Sequence, residues 1–271
     1  MTQAVSSRRI ALDAGRVEMY REIEETVEWL TVPTLPAPRR TIRCLGRRRR
    51  AMKRAFDVCG ACVLLVLLSP LMAATAVLVK LTSPGPAIFE QTRVGLNRRT
   101  GERRTRRADG PEALDRRRGD RRTTNTHGRL FTIYKFRTMC EDAEAGGARF
   151  SSKGDMRVTT LGRFLRRTRI DELPQLWNVI RGEMSLVGPR PERPEFVGGF
   201  VEQIPGYRDR LQLKPGLTGL AQVENGYDSE LDDFRRKAVY DAIYVQRCTI
   251  RNDLRIMART VKVVITGKGA C

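Results

Sequence analysis

Residues 58–79 read VCGACVLLVLLSPLMAATAVLV, and this stretch decides which kinds of fold are open to the chain. It runs for 22 residues without a charge, with Lys53 and Arg54 on one flank and Lys80 on the other. A helix needs about 20 apolar residues to cross a hydrocarbon core of ~30 Å. Ser69 and Pro70 fall in the middle. Proline lacks the backbone donor and its ring collides with the preceding turn, so it kinks or breaks a helix. Each half is then about 11 residues, or ~16 Å, half the hydrocarbon thickness. Two geometries compete. One is a spanning helix kinked at Pro70, which a bilayer tolerates. The other is a re-entrant helix-break-helix, with Ser69 and Pro70 as the break, that enters and leaves by one face.

The flanks favour the second. From Arg39 to Arg54 there are nine basic residues and no acidic one. From Arg98 to Arg129 there are twelve arginines and five acids. The positive-inside bias places both flanks in the cytoplasm, whereas a spanning helix would export one of them. A buried soluble helix is disfavoured, because 22 uncharged residues is long for one.

The net charge of +20, from 51 Lys and Arg against 31 Asp and Glu, calls for a polyanionic partner. Nucleic acid, an anionic membrane surface and phosphorylated substrates all qualify. The basic runs carry no interleaved aromatic residue, and residues 97–128 have none, so a stacking platform for single strands is missing and no nucleic acid is expected. Cys59 and Cys62 form one CxxC inside the apolar run, and His127 is the one histidine. A zinc site is therefore not expected, and the six scattered cysteines read as reduced thiols facing the cytosol. The first 30 residues show no apolar core of a signal peptide.

Three segments follow. Residues 1–50 are a polar extension, with Val17, Tyr20, Ile23, Val27 and Leu30 on one helical stripe, then a proline-rich break and a basic linker. The linker is either a solvated tether or a contact for anionic lipid headgroups; the second use gains about 1 kcal/mol per basic residue near the surface. Residues 51–82 hold the membrane hairpin, and 83–271 a cytosolic domain. There, the runs beginning at Ala87 and at Leu130 alternate apolar and polar residues, as two arms of a hairpin. Its tip is the Arg-rich insertion 97–128, whose composition cannot build a core and predicts disorder. Gly162 to Ile180 is helical, interrupted at Leu173-Pro174; 205–223 is loop-rich; Leu231–Gln246 and Asp253–Ile265 are helices. The last is amphipathic, suited either to a membrane surface or to the core. The fold class is α/β, mostly helical: a membrane-embedded monotopic protein with a re-entrant segment, a small β-hairpin and amphipathic interfacial helices.

The chemistry concentrates in Arg166–Glu192, RRTRIDELPQLWNVIRGEMSLVGPRPE. Adjacent Asp171 and Glu172 repel each other, a cost that cations or a metal ion relieve. With Arg166, Arg167 and Arg169 before them and Arg190 between two prolines after them, they suit phosphoryl chemistry: a nucleophile or metal ligand with guanidinium clamps for phosphate oxygens. The plainer alternative is a charged helix start.

Six features in order carry a resemblance. These are the apolar segment with Ser69-Pro70; Gln91-x-Arg93-Val-Gly95; Tyr134-Lys135-Phe136-Arg137-Thr-Met139; Arg166 to Trp177 with Asp171-Glu172-Leu-Pro-Gln; Met184-Ser-Leu-Val-Gly-Pro-Arg-Pro191; and Lys214-Pro-Gly-Leu-Thr-Gly219. Over about residues 50–265 the chain resembles the bacterial sugar transferases, the monotopic polyprenyl-phosphate phosphoglycosyl transferases. The resemblance implies transfer of a sugar phosphate from a nucleotide-diphosphate sugar, usually a UDP-sugar, onto undecaprenyl phosphate, the first membrane step of exopolysaccharide or related glycan assembly. It implies Mg²⁺ and a covalent phosphosugar intermediate on Asp171. Glu172 would orient or bind the metal together with Asp171, and Lys135, Arg137, Arg166 and Arg190 would hold phosphate or nucleotide. Asp241 and Asp253 fall near family acidic positions, as site residues or salt-bridge partners, and Lys214 would fix a loop. The implied location is the bacterial inner membrane with the catalytic domain on its cytoplasmic face; a homodimer is left open. The chain departs from the family in the 97–128 insertion and in Arg169-Ile170 before Asp171. Larger relatives carry four more membrane helices ahead of this core, where this chain has the 1–50 extension.

Overall fold

The computed structural model describes residues 18–19, 22–23, 26–27, 29–30, 47–97, 128–144, 147, 154–204, 206–225 and 231–266. The expected disorder of the Arg-rich insertion, and the role of the linker before Arg47, concern residues outside that set.

Helix α1 (Arg47–Thr82) is a continuous helix of 36 residues, about 54 Å long, and takes in the end of the basic linker. The break expected at Ser69-Pro70 does not interrupt its helical assignment. The reason is local. Pro70 has no N–H for the carbonyl of Val66, and the Ser69 hydroxyl donates to that oxygen at 2.8 Å instead.

One face of α1 packs on the rest of the protein at both ends. Near its start, buried Asp57 accepts from Ser185 Oγ at 2.9 Å and Leu186 N at 3.1 Å, and Lys53 pairs with Asp253 at 2.7 Å. Arg54 donates to the carbonyls of Val179 and Ile180, at 2.5 and 2.7 Å. Those oxygens lie in the last turn of a neighbouring helix, where Gly182 N also donates to Val179 at 3.0 Å, so Arg54 adds to the cap of that helix. Near its end, Val79 packs with Phe136 and Leu165. The other face is apolar and bare: Val66 is 74% exposed and Leu81 77%, with Val63, Leu67, Leu71, Val77 and Leu78 alongside.

Strands β1 (Ile88–Val94) and β2 (Leu130–Phe136) form the antiparallel hairpin that the alternation predicts, with Ile88 opposite Phe136 and Val94 opposite Leu130. A second sheet does not show in the sequence pattern. Strands β3 (Ser185–Val187) and β4 (Gly216–Thr218) pair in parallel inside a region that reads as loop. Three residues are too few to display a period. Glycines let these chains touch: a Cβ on Gly188 would sit 2.5 Å from the Lys214 carbonyl, and one on Gly216 would collide with Gly188 N.

Helix α2 (Thr160–Arg167) is capped by Thr159, whose side chain accepts from Gly162 N at 2.9 Å. The single helix expected over 162–180 stops earlier than Leu173-Pro174, at Thr168-Arg169. It resumes as a 3-10 helix, Ile170–Gln175, and then α3 (Leu176–Arg181). Helices α4 (Pro194–Gln203), α5 (Leu220–Glu224), α6 (Leu231–Gln246) and α7 (Ile250–Thr266) complete the fold. Helix α7 packs one face on the core, with Ile256 fully buried, while Leu254, Val261 and Ile265 on other faces are exposed.

The main core joins Leu176, Val179, Met184 and Leu186 to Val239, Ile243, Tyr244 and Ile256. Ile23, Val27 and Leu30 from the N-terminal stripe are buried in this same core, and the Arg259 guanidinium lies 3.8 Å from the Trp29 ring centroid. Val17 and Tyr20 of that stripe are outside the described residues.

Candidate active site

The site begins with a backbone turn. Arg169 adopts a left-handed conformation, φ 58°, the one non-glycine residue with positive φ among those described. The chain reverses there, and Asp171 and Glu172 open the 3-10 helix as buried groups, each 6% exposed. They lie against a cleft of about 500 Å³. Lys135, Arg137, Arg166 and Arg190, the four cations picked out by motif, line the same cleft. They come from the end of β2, from α2 and from the turn after β3, so the fold gathers residues up to 55 positions apart (135 to 190).

The two carboxylates have opposite surroundings. Glu172 is gripped through both oxygens by the Arg190 fork, at 2.6 and 3.3 Å, and by Lys135 Nζ at 3.2 Å. Burial alone would raise its pKa. Arg190 and Lys135 outweigh that and hold its carboxyl well below the usual carboxylate range. Asp171 has no such grip: its Oδ1 is buried and accepts no hydrogen bond. Burial, then the charge of Glu172, pushes its carboxyl up to about 6, against the pull of Lys135, Arg166 and Arg169.

Arg166 Nε donates to Thr138 Oγ1 at 3.0 Å. Arg137 reaches the end of α1, where its Nη2 donates to the carbonyl and hydroxyl of Ser83 at 2.7 and 2.8 Å. Its Nε and Nη1 are buried without a partner.

A neighbouring buried network takes in Asp241, one of the two acids that the sequence left open between site residue and salt-bridge partner. Arg210 Nε meets Asp241 at 2.9 Å, and Lys237 Nζ meets Glu192 at 2.8 Å. Glu192 would be raised by burial, but Lys237, Arg210 and Arg93 draw it down to about 2. Burial pushes Asp241 up to about 6 despite Arg210 and Lys237. The network braces the Pro-Arg-Pro turn: Arg210 donates to the Arg190 carbonyl at 2.8 Å, and Arg93 to that of Pro191 at 3.2 Å. Arg93 stands in a quoted motif and was findable. Arg210 and Lys237 sit in none, and folding alone brings them here. Asp241 and Asp253 are both buried ion-pair partners and neither lines the cleft. Lys214 lies in a separate cavity with Arg129, Arg181 and Glu183.

Comparison with known proteins gives the family. Residues 48–105 and 115–267 match the family described as bacterial sugar transferase. The UDP-N-acetylgalactosamine-undecaprenyl-phosphate N-acetylgalactosaminephosphotransferase of Aeromonas hydrophila is 42% identical over 219 residues, 81% of this chain and 45% of that one. The UDP-glucose:undecaprenyl-phosphate glucose-1-phosphate transferase of Caulobacter vibrioides is 39% identical over 220 residues, 80% of this chain and 71% of that one. The exopolysaccharide production protein PSS of Rhizobium leguminosarum bv. phaseoli is 36% identical over 225 residues, 80% of this chain and 98% of that one. The chain thus spans under half of the Aeromonas relative and nearly all of the Rhizobium one. The carboxylate pair, its arginines and the apolar helix all fall within the matched residues, and the chain belongs to the bacterial sugar transferase family.

Proposed function

We propose that this protein is a polyprenyl-phosphate sugar-1-phosphate transferase that moves a sugar phosphate from a UDP-sugar to undecaprenyl phosphate through Asp171. The observation that carries the reading is the free, buried Oδ1 of Asp171 in a cleft ringed by cations. Both substrates are anionic, and direct attack of one phosphate on the other meets charge repulsion. A carboxylate nucleophile divides the transfer into two easier displacements. In the first, Asp171 Oδ1 attacks the β-phosphorus of the UDP-sugar, the bond to the bridging oxygen breaks, and UMP leaves. In the second, an oxygen of the lipid phosphate attacks the aspartyl phosphorus and the Asp171 carboxylate departs. Glu172, neutralised on both oxygens, leaves Asp171 as the group with spare charge, while Lys135, Arg166 and Arg190 are placed to bind the phosphate oxygens that gain charge on the way.

The family implies Mg²⁺. Among the described residues no group of three or more His, Cys, Asp or Glu could hold a metal alone. Asp171 Oδ1 and the remaining lone pair of Glu172 are hard oxygen donors, and Mg²⁺ is commonly held by one or two carboxylates with substrate phosphates. These residues fit an ion that arrives on the diphosphate; bound there, it would neutralise the donor's charge.

The membrane placement rests on α1. Asp57 and Val79 lie 22 residues apart, about 33 Å along a helix, yet both pack on the same catalytic domain. A helix crossing the bilayer would set those two points on opposite sides of the membrane. We therefore read α1 as entering and leaving on the cytoplasmic face, its bare apolar side and the exposed residues of α7 in lipid, the basic linker on anionic headgroups. On this reading the protein starts exopolysaccharide or related glycan assembly at the inner membrane.

Asp171→Asn tests the mechanism. The purified variant should bind vesicles as the wild type does and release no UMP from a UDP-sugar, with or without undecaprenyl phosphate. Normal turnover by that variant overturns the reading.

A further inference from the structure

The proposed transfer needs two phosphate subsites, one for the nucleotide sugar and one for the lipid. From the geometry we infer that Arg137 is the anchor for the acceptor's lipid phosphate, separate from the Lys135 and Arg190 pair that surrounds Glu172. This assignment rests on the proposed transfer and names which phosphate one of its cations holds.

Arg137 is 9% exposed, and it is tied to the end of the membrane helix. Its Nη2 is spent on Ser83, the residue directly after α1. Its Nε and Nη1 have no partner. Leaving a buried charged donor unpaired is costly, so the two free nitrogens imply an anion that meets one of them. A phosphate oxygen accepts a charge-assisted hydrogen bond from such a group.

The surroundings select the lipid. The final turns of α1 expose Leu78 and Leu81, and Phe164 is exposed on α2, whose Leu165 packs on Val79. A polyprenyl chain lying on that apolar surface would bring its phosphate to the end of the helix, where Arg137 sits. Gly85, with φ +100°, lies directly against this guanidinium: a Cβ there would collide with Arg137 Nη1. Glu141 approaches the same point, yet makes no hydrogen bond with either free nitrogen. Lys135 and Arg190 lack this connection to α1; their contacts run to Glu172.

The two half-reactions separate this assignment from the mechanism it rests on. Full-length wild type, Arg137→Gln and Arg137→Lys would be compared in detergent, first with UDP-sugar alone and then with undecaprenyl phosphate varied. Single-turnover UMP release without lipid reports the donor half. The KM for undecaprenyl phosphate reports the acceptor half and does not depend on the fraction of folded enzyme. For Arg137→Gln the UMP burst should stay within about twofold per folded molecule, while the acceptor KM rises roughly 10- to 100-fold, the size expected for a lost charged hydrogen bond. Arg137→Lys keeps the charge on a differently placed donor, and should fall between, at about 3- to 10-fold. An acceptor KM within twofold of wild type in both variants overturns the assignment. So does a burst lost from both, which would place Arg137 in the donor site or in the fold. A wild type that releases no UMP from any UDP-sugar sinks the transfer itself, and the acceptor assignment with it.

Discussion

Asp171 and Asp241 are nearly the same group in electrostatic terms. Both are buried, and burial pushes both carboxyls up to about 6. Their partners differ. Asp241 is met by Arg210 Nε at 2.9 Å in a network where each charge has an opposite beside it. Asp171 has a buried oxygen with nothing on it, and it faces a cleft. A perturbed pKa marks both a brace and a candidate nucleophile, so it cannot choose between them. The ion-pair partner and the space in front can: Asp241 Oδ2 also lacks a well-aligned hydrogen bond, but it meets Arg210 and lines no part of the cleft. The brace has a purpose of its own: by holding the Arg190 and Pro191 carbonyls it fixes the turn from which Arg190 reaches Glu172.

The largest expected effect breaks the comparison outright. Asp171→Asn should lower turnover by about 10⁴-fold or more, as loss of a nucleophile does. Asp241→Asn keeps an oxygen for Arg210 and should leave turnover within about tenfold. Comparable losses at the two positions in a steady-state UMP-release assay would mean that Asp171 is only another brace. Next is the contact that links the two regions. Arg190→Lys cannot reproduce the two-oxygen grip on Glu172, and kcat should fall about 100-fold with little change in the melting temperature. An unchanged kcat would mean that charge alone is needed there.

Much of the site was legible because its parts are contiguous. Asp171-Glu172 and Pro189-Arg190-Pro191 are short motifs, and their residue types state their chemistry. Lys135 and Arg137 were readable from a strand pattern spaced two apart. The brace was legible only in part: Arg93 stands in a motif, but Arg210 and Lys237 do not, the four residues come from three separate elements, and ordinary helices hold such residues on their surfaces. Helix α1 was read correctly as apolar and long; that its helix continues past Pro70 was not legible, because the sequence shows the missing donor and only the structure shows Ser69 supplying one. The two three-residue strands are set by glycine contacts across about 30 positions, which no local pattern reveals.

The pH dependence of activity should follow Asp171. Its carboxylate is the form that attacks, so single-turnover UMP release should be near its plateau above pH 7 and fall about tenfold per pH unit well below 6. Donor binding brings charge into the cleft and can move the midpoint of kcat, so the free-enzyme value is read from kcat/KM. A kcat/KM that is flat between pH 5 and 8 would remove the ionised Asp171 from the first step.

The smallest effect is the most discriminating, because activity and stability should move in opposite directions. The folded pKa of Asp171, about 6, lies above the ~3.9 of an unfolded aspartate. Its protonation therefore favours the fold below about pH 4, and that contribution is lost as pH rises through 6. Above pH 7 the ionised carboxylate costs stability, and Asn, which mimics the neutral form, removes the cost. Asp171→Asn should raise stability by about 1–3 kcal/mol at pH 7.5, some 2–6 °C in Tm, and by nothing near pH 4. Asp241→Ala should do the reverse, since it strips a partner from the buried Arg210 guanidinium, at a cost of about 3 kcal/mol. Melting curves at pH 4.5 and 7.5 decide it. If Asp171→Asn melts lower at pH 7.5, the carboxylate is holding its neighbours together, and the two aspartates are alike after all.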